Sequence, residues 1–275
     1  MQVFLRYSLL SLYLLVCVLS ASAQSLTPQG TFEKQQNVMT GGYSFWLYKP
    51  ADYIDDDHDF PLIIFLHGAS LCGRNLNKVR RYGVLDAIDH GKIIPTLVVA
   101  PQNPGGAWSP NKLNDLLEWM KSHYRVDSTR VYVLGMSLGG YGTMDFVGTY
   151  PDKIAAAMAF CGGCSLKNQD GLGRVPLWIM HGTADRAVSI NESKKVVDYL
   201  QQKGMDHLLR YDWMQGGGHG APARLFYLQK TYDWLFYHSL KDSPREVDRS
   251  FDITPVDIKT TYQELRALPH MYDKD

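Results

Sequence analysis

Ser137 stands in "VYVLGMSLGGYGTMDFVG", residues 131–148, with Gly135 and Gly139 two places to either side. A serine hydroxyl is a weak nucleophile until a neighbouring base takes its proton. The rest of the chain offers such a base and an acid to orient it. "HGTADRAV" follows the apolar run Leu177–Met180 and carries Asp185, and "MQGGGHGAP" carries His219 in a glycine-rich stretch. The order Ser137, Asp185, His219 is one in which nucleophile, acid and base recur when each sits on its own strand-end loop. The chemistry is acyl transfer, with attack by Ser137, a proton shuttled by His219, and the imidazole tautomer set by Asp185.

The charge that develops on the attacked carbonyl oxygen needs preorganised N–H donors. One is the N–H of Leu138, the residue after the serine. "IIFLHGASLCG", residues 63–73, supplies a turn for the second. Ala69 is the expected donor there, with Ser70 as the alternative. His67 precedes the serine and is read as a brace for this turn, and His181 as support for the Asp185 loop. Trp108 in "PGGAWSP" and Trp213 just before the His219 loop are expected to line a cleft, where aromatic faces would hold a sugar ring or an aromatic acyl group.

Such residues meet only if the fold delivers them to one edge. Short, near-continuous apolar runs recur at Leu62–Leu66, Leu97–Ala100, Val131–Leu134, Ala155–Phe160, Leu177–Met180 and Leu208–Tyr211. They have the pattern of strands buried on both faces of a parallel sheet. Between them lie helical stripes. Leu113, Leu116, Leu117 and Met120 form one, and Val196, Val197 and Leu200 form another that ends at Gly204. Leu225, Leu228, Tyr232 and Leu235 form a third. Alternating strands and helices predict an α/β fold, a mainly parallel sheet covered on both faces. Phe45–Tyr48 is expected as an antiparallel strand at the edge, and Asp52–Asp59 as a solvated turn.

The chain has 275 residues, with 28 Lys plus Arg against 28 Asp plus Glu. A net charge of zero and the lack of a basic stripe argue against a nucleic-acid partner. Residues 1–23 read as a secretory signal, with Leu9–Leu19 as its apolar core and Ala21-Ser22-Ala23 before the cut. The expected localisation is periplasmic or extracellular, without membrane attachment after cleavage. Val16 before Cys17 disfavours a lipoprotein signal. Three cysteines then remain, Cys72, Cys161 and Cys164, so at least one thiol stays free. Cys161 and Cys164 have CxxC spacing without a second pair or a nearby His cluster. Buried thiols at a strand end are expected there, and no metal. Residues 24–242 are read as one catalytic domain. Residues 243–275 are read as a polar tail, laid on that domain or partly mobile.

"PLIIFLHGAS", "LGMSLGGYGT", "PLWIMHGTAD" and "GGGHG" stand in the order and spacing of the α/β-hydrolase superfamily, which the span from Asp59 to Leu240 resembles. The likeness is greatest to compact secreted carboxylesterases, among them feruloyl and acetylxylan esterases and polyester depolymerases. It extends to the hydrolase domain of prolyl oligopeptidases without their propeller. Dienelactone hydrolases normally carry Cys as nucleophile, whereas this chain has Ser137. The resemblance implies a serine esterase working through an acyl-enzyme without cofactor, acting on an ester substrate such as an acylated plant polysaccharide. A serine peptidase and a non-catalytic binding module are the competing expectations.

Overall fold

The computed structural model describes residues 30–249 and 253–272. The expected signal segment and residues 24–29 lie outside the described residues. Eight strands form one sheet in the order β1-β2-β4-β3-β5-β6-β7-β8. They are β1 (Thr31–Gln35), β2 (Phe45–Lys49), β3 (Phe60–Leu66), β4 (Leu97–Pro101), β5 (Val126–Met136), β6 (Ala156–Phe160), β7 (Leu177–Gly182) and β8 (Leu209–Met214). From β4 to β8 across the sheet every pair is parallel. The two strands at the other edge are antiparallel. β2 is the edge-side strand expected at Phe45–Tyr48, and β1 beyond it carries no apolar run that would announce it.

The apolar runs are continuous because both faces of the sheet are covered. All seven residues of β3 are buried. Its Leu62, Ile64 and Leu66 point into one core layer, and Ile63 and Phe65 into the other. The first layer is closed by α2 (Pro110–His123), α3 (Leu138–Thr149) and α4 (Ile190–Gln202), and the second by α1 (Val84–Asp89), α5 (Gln229–Phe236) and α6 (Pro255–Arg266). The helix ends follow local chemistry. Ser109 caps α2 by accepting from the Lys112 N–H, with Pro110 at the first turn. Gly204, at φ +64°, follows α4 as the sequence pattern requires.

Two expectations change. The stripe Leu225–Leu235 is not one helix. A 3₁₀ turn, Pro222–Tyr227, precedes α5, and Leu228 between them is extended at φ −86°, ψ 137°. Leu228 instead begins α5 as its cap, and the Thr231 hydroxyl donates across the break to the Leu225 carbonyl (2.6 Å). The polar tail, in turn, contains α6, which opens with a capping box between Thr254 and Asp257. Ile258 is 7% exposed against the second layer. The Arg266 Nη1 lies 2.5 Å from Asp86 Oδ2, and the His270 Nδ1 2.7 Å from Asp89 Oδ2, both acids being on α1.

The strand order reverses between β3 and its neighbours, since the chain leaves β3 for β4 on one side and returns to β5 on the other. Ligand sites of open α/β sheets lie at such a switch, beyond the carboxyl ends of the strands. Here those ends are His67-Gly68 and Ser137. They are brought close by Gly135 and Gly139. A Cβ on Gly139 would overlap the Leu66 carbonyl, and one on Gly135 would overlap the Gly139 carbonyl. Helix α3 can therefore sit backbone to backbone on the end of β3. Replacing Gly139 by Ala is expected to destabilise the fold by about 1–3 kcal/mol, the usual cost of overpacking. Denaturant unfolding should show a lower midpoint with an unchanged slope.

Candidate active site

β5 ends at Met136, and α3 starts at Leu138. The single residue between them, Ser137, has φ 58° and ψ −121°. A side chain in this left-handed region carries backbone strain, which persists only where the surroundings over-determine it. Here the Ser137 N–H donates to the Phe160 carbonyl at the end of β6 (2.8 Å), and the glycine contacts hold the helix behind it. The turn presents the hydroxyl at the sheet's carboxyl edge as the first side chain of the helix N-terminus.

Asp185 lies in the loop after β7, with its carboxylate wholly buried. Oδ1 accepts from the N–H groups of Ala187 (2.8 Å) and Val188 (3.0 Å), and Oδ2 lies 2.7 Å from His219 Nδ1. Burial acts to raise the pKa of this carboxyl. The hydrogen bonds from His219, Val188 and Ala187 outweigh it and hold the group at about 2. Asp185 is therefore an anion, and Nδ1 of His219 carries the proton facing it. That leaves Nε2 with a free lone pair, the tautomer a general base requires. His181 holds the carboxylate from its other side. Its Nε2 donates to the Val188 carbonyl (3.0 Å) and lies 3.1 Å from Asp185 Oδ2. Burial lowers the pKa of His181.

The Asp185 and His219 loops are also tied through backbone. The Thr183 N–H donates to the Met214 carbonyl and the Ala184 N–H to the Gly217 carbonyl, each at 2.9 Å. Cys161, at the end of β6 with φ 49°, is wedged against both, and its thiol donates to the His219 carbonyl (3.4 Å). Among the described residues no hydrogen bond joins the Ser137 hydroxyl to the imidazole, a looseness common in unliganded active sites.

The first residue of a helical turn has no intrahelical acceptor for its N–H. Leu138 is that residue in α3, and Ala69 is that residue in the 3₁₀ turn Ala69–Leu71. Ser70 is the second residue of the latter turn. The turn is braced by His67, which is fully buried. His67 Nδ1 donates to the Gly68 carbonyl (2.8 Å), and Nε2 accepts from the Asn103 N–H (3.0 Å). Burial lowers its pKa, so the ring stays neutral and both bonds persist.

The structure adds Tyr82, whose hydroxyl accepts from the Gly68 N–H at 2.5 Å beside Ser137. Burial pushes this phenol up to about 12, so its own proton is retained. Nothing in the local pattern marks Tyr82. Its position comes from Gly83, whose φ of +87° turns the chain over the Phe65 ring.

One of the two tryptophans departs from expectation. Trp108 is not a cleft wall. It is 3% exposed, edge-on to Tyr43 and His67 at 5.1 Å each, and its indole N–H donates to the His67 carbonyl (3.3 Å). Gly105 and Gly106, at φ +148° and +77°, turn the loop so that the indole folds inward against Gly142 of α3. Trp213 is half-buried beside Tyr211 and lines a cavity with Arg224 and Ile258, as the sequence pattern suggested.

Two clusters bring potential metal ligands within 4.8 Å of one another, Cys161-Asp185-His219 and Asp86-His90-His270. In the first, the thiol is pushed up to about 12 by burial, and the carboxylate is spent on N–H donors. In the second, Asp86 already holds Tyr227 and Arg266. Hydrogen bonding accounts for both. Cys72, Cys161 and Cys164 are all free thiols.

Residues 106–224 match the model of the Dienelactone hydrolase family. A probable acetylxylan esterase A of Aspergillus flavus is 35% identical over 68 residues, 24% of this chain and 22% of that protein. A probable carboxylesterase (SOBER1-like) of Arabidopsis thaliana is 28% identical over 132 residues, 42% and 50% of the two lengths. The matched segments thus span half or less of these relatives. A thermostable esterase superposes with a TM-score of 0.62 at 24% identity, over 77% of this chain and 63% of that one. A feruloyl esterase module from Clostridium thermocellum, complexed with sinapinate, gives 0.59 at 16% identity, over 75% and 88%.

The chain has the α/β-hydrolase fold. Within that fold Trp108 holds the loop that His67 braces, so its loss is a matter of stability. Trp108→Ala should cost about 3–5 kcal/mol, the range for emptying a large aromatic site, as a fall in the unfolding midpoint. Asp185 generates a pH prediction. Its folded pKa of about 2 lies below the unfolded value of about 3.9, so it stabilises above the latter and loses that contribution as pH falls. The stability gap between the wild type and Asp185→Asn should therefore narrow from about pH 4 to about pH 2, as read by denaturant unfolding at each pH.

Proposed function

We propose that this protein is a serine esterase that works through an acyl-enzyme. The observation that carries the reading is the Asp185–His219 hydrogen bond, made at the same sheet edge as a serine held at φ 58°. Ser137 attacks the ester carbonyl, and His219 Nε2 takes the hydroxyl proton. The imidazolium, steadied by Asp185, then protonates the departing alcohol. The N–H groups of Leu138 and Ala69 receive the oxyanion. Water attacks the acyl-enzyme by the same route, releasing the acid and restoring Ser137. The chain's own residues complete this cycle.

The substrate class we propose is an ester on plant polysaccharide, acetyl or feruloyl. It is supported by partial likeness to acetylxylan esterases and a fold shared with a feruloyl esterase module. Export by the segment 1–23 belongs to the same reading, since such a polymer lies outside the cell. Among the described residues no helix is long and apolar enough to cross a membrane. The peptidase alternative rests on fold alone, shared with a putative dipeptidyl aminopeptidase IV from Bacteroides ovatus at a TM-score of 0.56. A binding module would have no use for the buried hydrogen bonds that set the His219 tautomer.

Ser137→Ala should lower hydrolysis of 4-nitrophenyl acetate to the residue left by binding and oxyanion stabilisation, which in triad enzymes is about 10³–10⁴-fold over water. It should also abolish labelling by a fluorophosphonate, which reacts with an activated serine. Hydrolysis that survives the substitution would move the nucleophile elsewhere, and a wild-type chain that cleaves peptides better than esters would favour the peptidase.

A further inference from the structure

A cavity of about 390 Å³ opens beside His219, within the size range of small-ligand sites. Besides the imidazole its walls include Tyr82, Arg224, Tyr227 and Tyr262. Tyr262 comes from α6, outside residues 106–224 that match the family model. Its ring stands edge-on to Tyr227, with centroids 4.9 Å apart, and the Arg224 guanidinium lies 5.2 Å from its centre. The Tyr227 hydroxyl is spent on Asp86, so Tyr227 offers the cavity its ring.

The position of α6 is tightly specified. Arg266 and His270 reach Asp86 and Asp89, whose side chains are 1% and 0% exposed. The Met271 N–H donates to the Asp89 carbonyl at 2.7 Å. A buried carboxylate stripped of its partner is costly, which gives the segment a strong reason to stay docked.

Which half of an ester enters this space follows from the chemistry. The proton on His219 passes to the departing oxygen, so the alcohol must lie against the imidazole when the bond breaks. A cavity walled by His219 therefore takes the alcohol half, and the acyl group stays with Ser137. Tyrosine rings present flat apolar faces, suited to the C–H face of a pyranose. Arg224 contributes only donors, suited to hydroxyl oxygens. Among the described residues no carboxylate lines the cavity to compete for it.

We infer that this cavity is the subsite for the sugar that carries the ester, and that the C-terminal helix supplies Tyr262 as its outer wall. The inference rests on the esterase reading for its orientation.

Its test uses the full chain and two measurements. Titration calorimetry with xylotetraose needs no turnover. Saturable binding is expected, weakened by at least about tenfold in Tyr262→Ala and largely retained in Tyr262→Phe, which keeps the ring. The second measurement compares kcat/KM for acetylated xylotetraose and for 4-nitrophenyl acetate, which form the same acetyl-enzyme and differ only in the alcohol. Their ratio should fall by at least about tenfold in Tyr262→Ala, and equally in Tyr262→Leu, which preserves bulk if the smaller side chain loosens α6. No binding of the tetrasaccharide by the wild type overturns the sugar subsite, as does a ratio that neither variant moves. Binding without hydrolysis of either ester would instead overturn the esterase reading and leave the sugar site standing on its own evidence.

Discussion

The site depends on one close approach. Helix α3 rests its Gly139 backbone on the carbonyl end of β3, with no side chain between. Only that contact lets a strand turn into a helix within the single residue Ser137, at φ 58°. The strain of the turn is opposed by the Ser137 N–H bond to β6 and by packing of α3 in the first core layer. The same approach brings Gly68 beside Ser137, so the serine and the Ala69 turn are set by one contact rather than two.

The second constraint is electrostatic. The Asp185 carboxylate is buried, which by itself would favour its neutral form. It remains an anion because N–H groups from its own loop and from His219 converge on it, with His181 Nε2 3.1 Å away. Solvation by fixed donors has a mechanical consequence. The donors come from the loop after β7 and from the His219 loop, so the charge locks these two segments together. The His219 tautomer follows from this arrangement, and His181 contributes to it without facing the reacting atoms.

Around these two constraints the remaining polar groups act as scaffolding. His67, neutral and buried, ties the Gly68 turn to Asn103, and Trp108 closes over it. The C-terminal segment reaches back to α1 through Asp86 and Asp89, and so sets Tyr262 beside the cavity that His219 lines.

Apolar runs without alternation announced strands buried on both sides, and a mainly parallel sheet with helices on both faces buries them so. Glycines flanking Ser137, and polar residues just past strand ends at Asp185 and His219, located the loops that meet at one edge, because in a parallel sheet every such end faces the same way. These features are local, and the chain itself determines them. Other placements depend on partners remote in sequence. Trp108 reads as a cleft residue from its loop, yet it turns inward because Tyr43, His67 and Gly142 leave an indole-sized space there. Tyr82 reaches Gly68 only because Gly83 turns over Phe65. The tail looked too polar to fold alone, and it orders through acids on α1, Arg266 meeting Asp86 across 180 positions. Periodicity and turn chemistry report what a segment does with its own neighbours. Where a side chain finally points is decided by which distant surface has room, charge or a hydrogen-bond partner for it, and that exists only once the chain is folded.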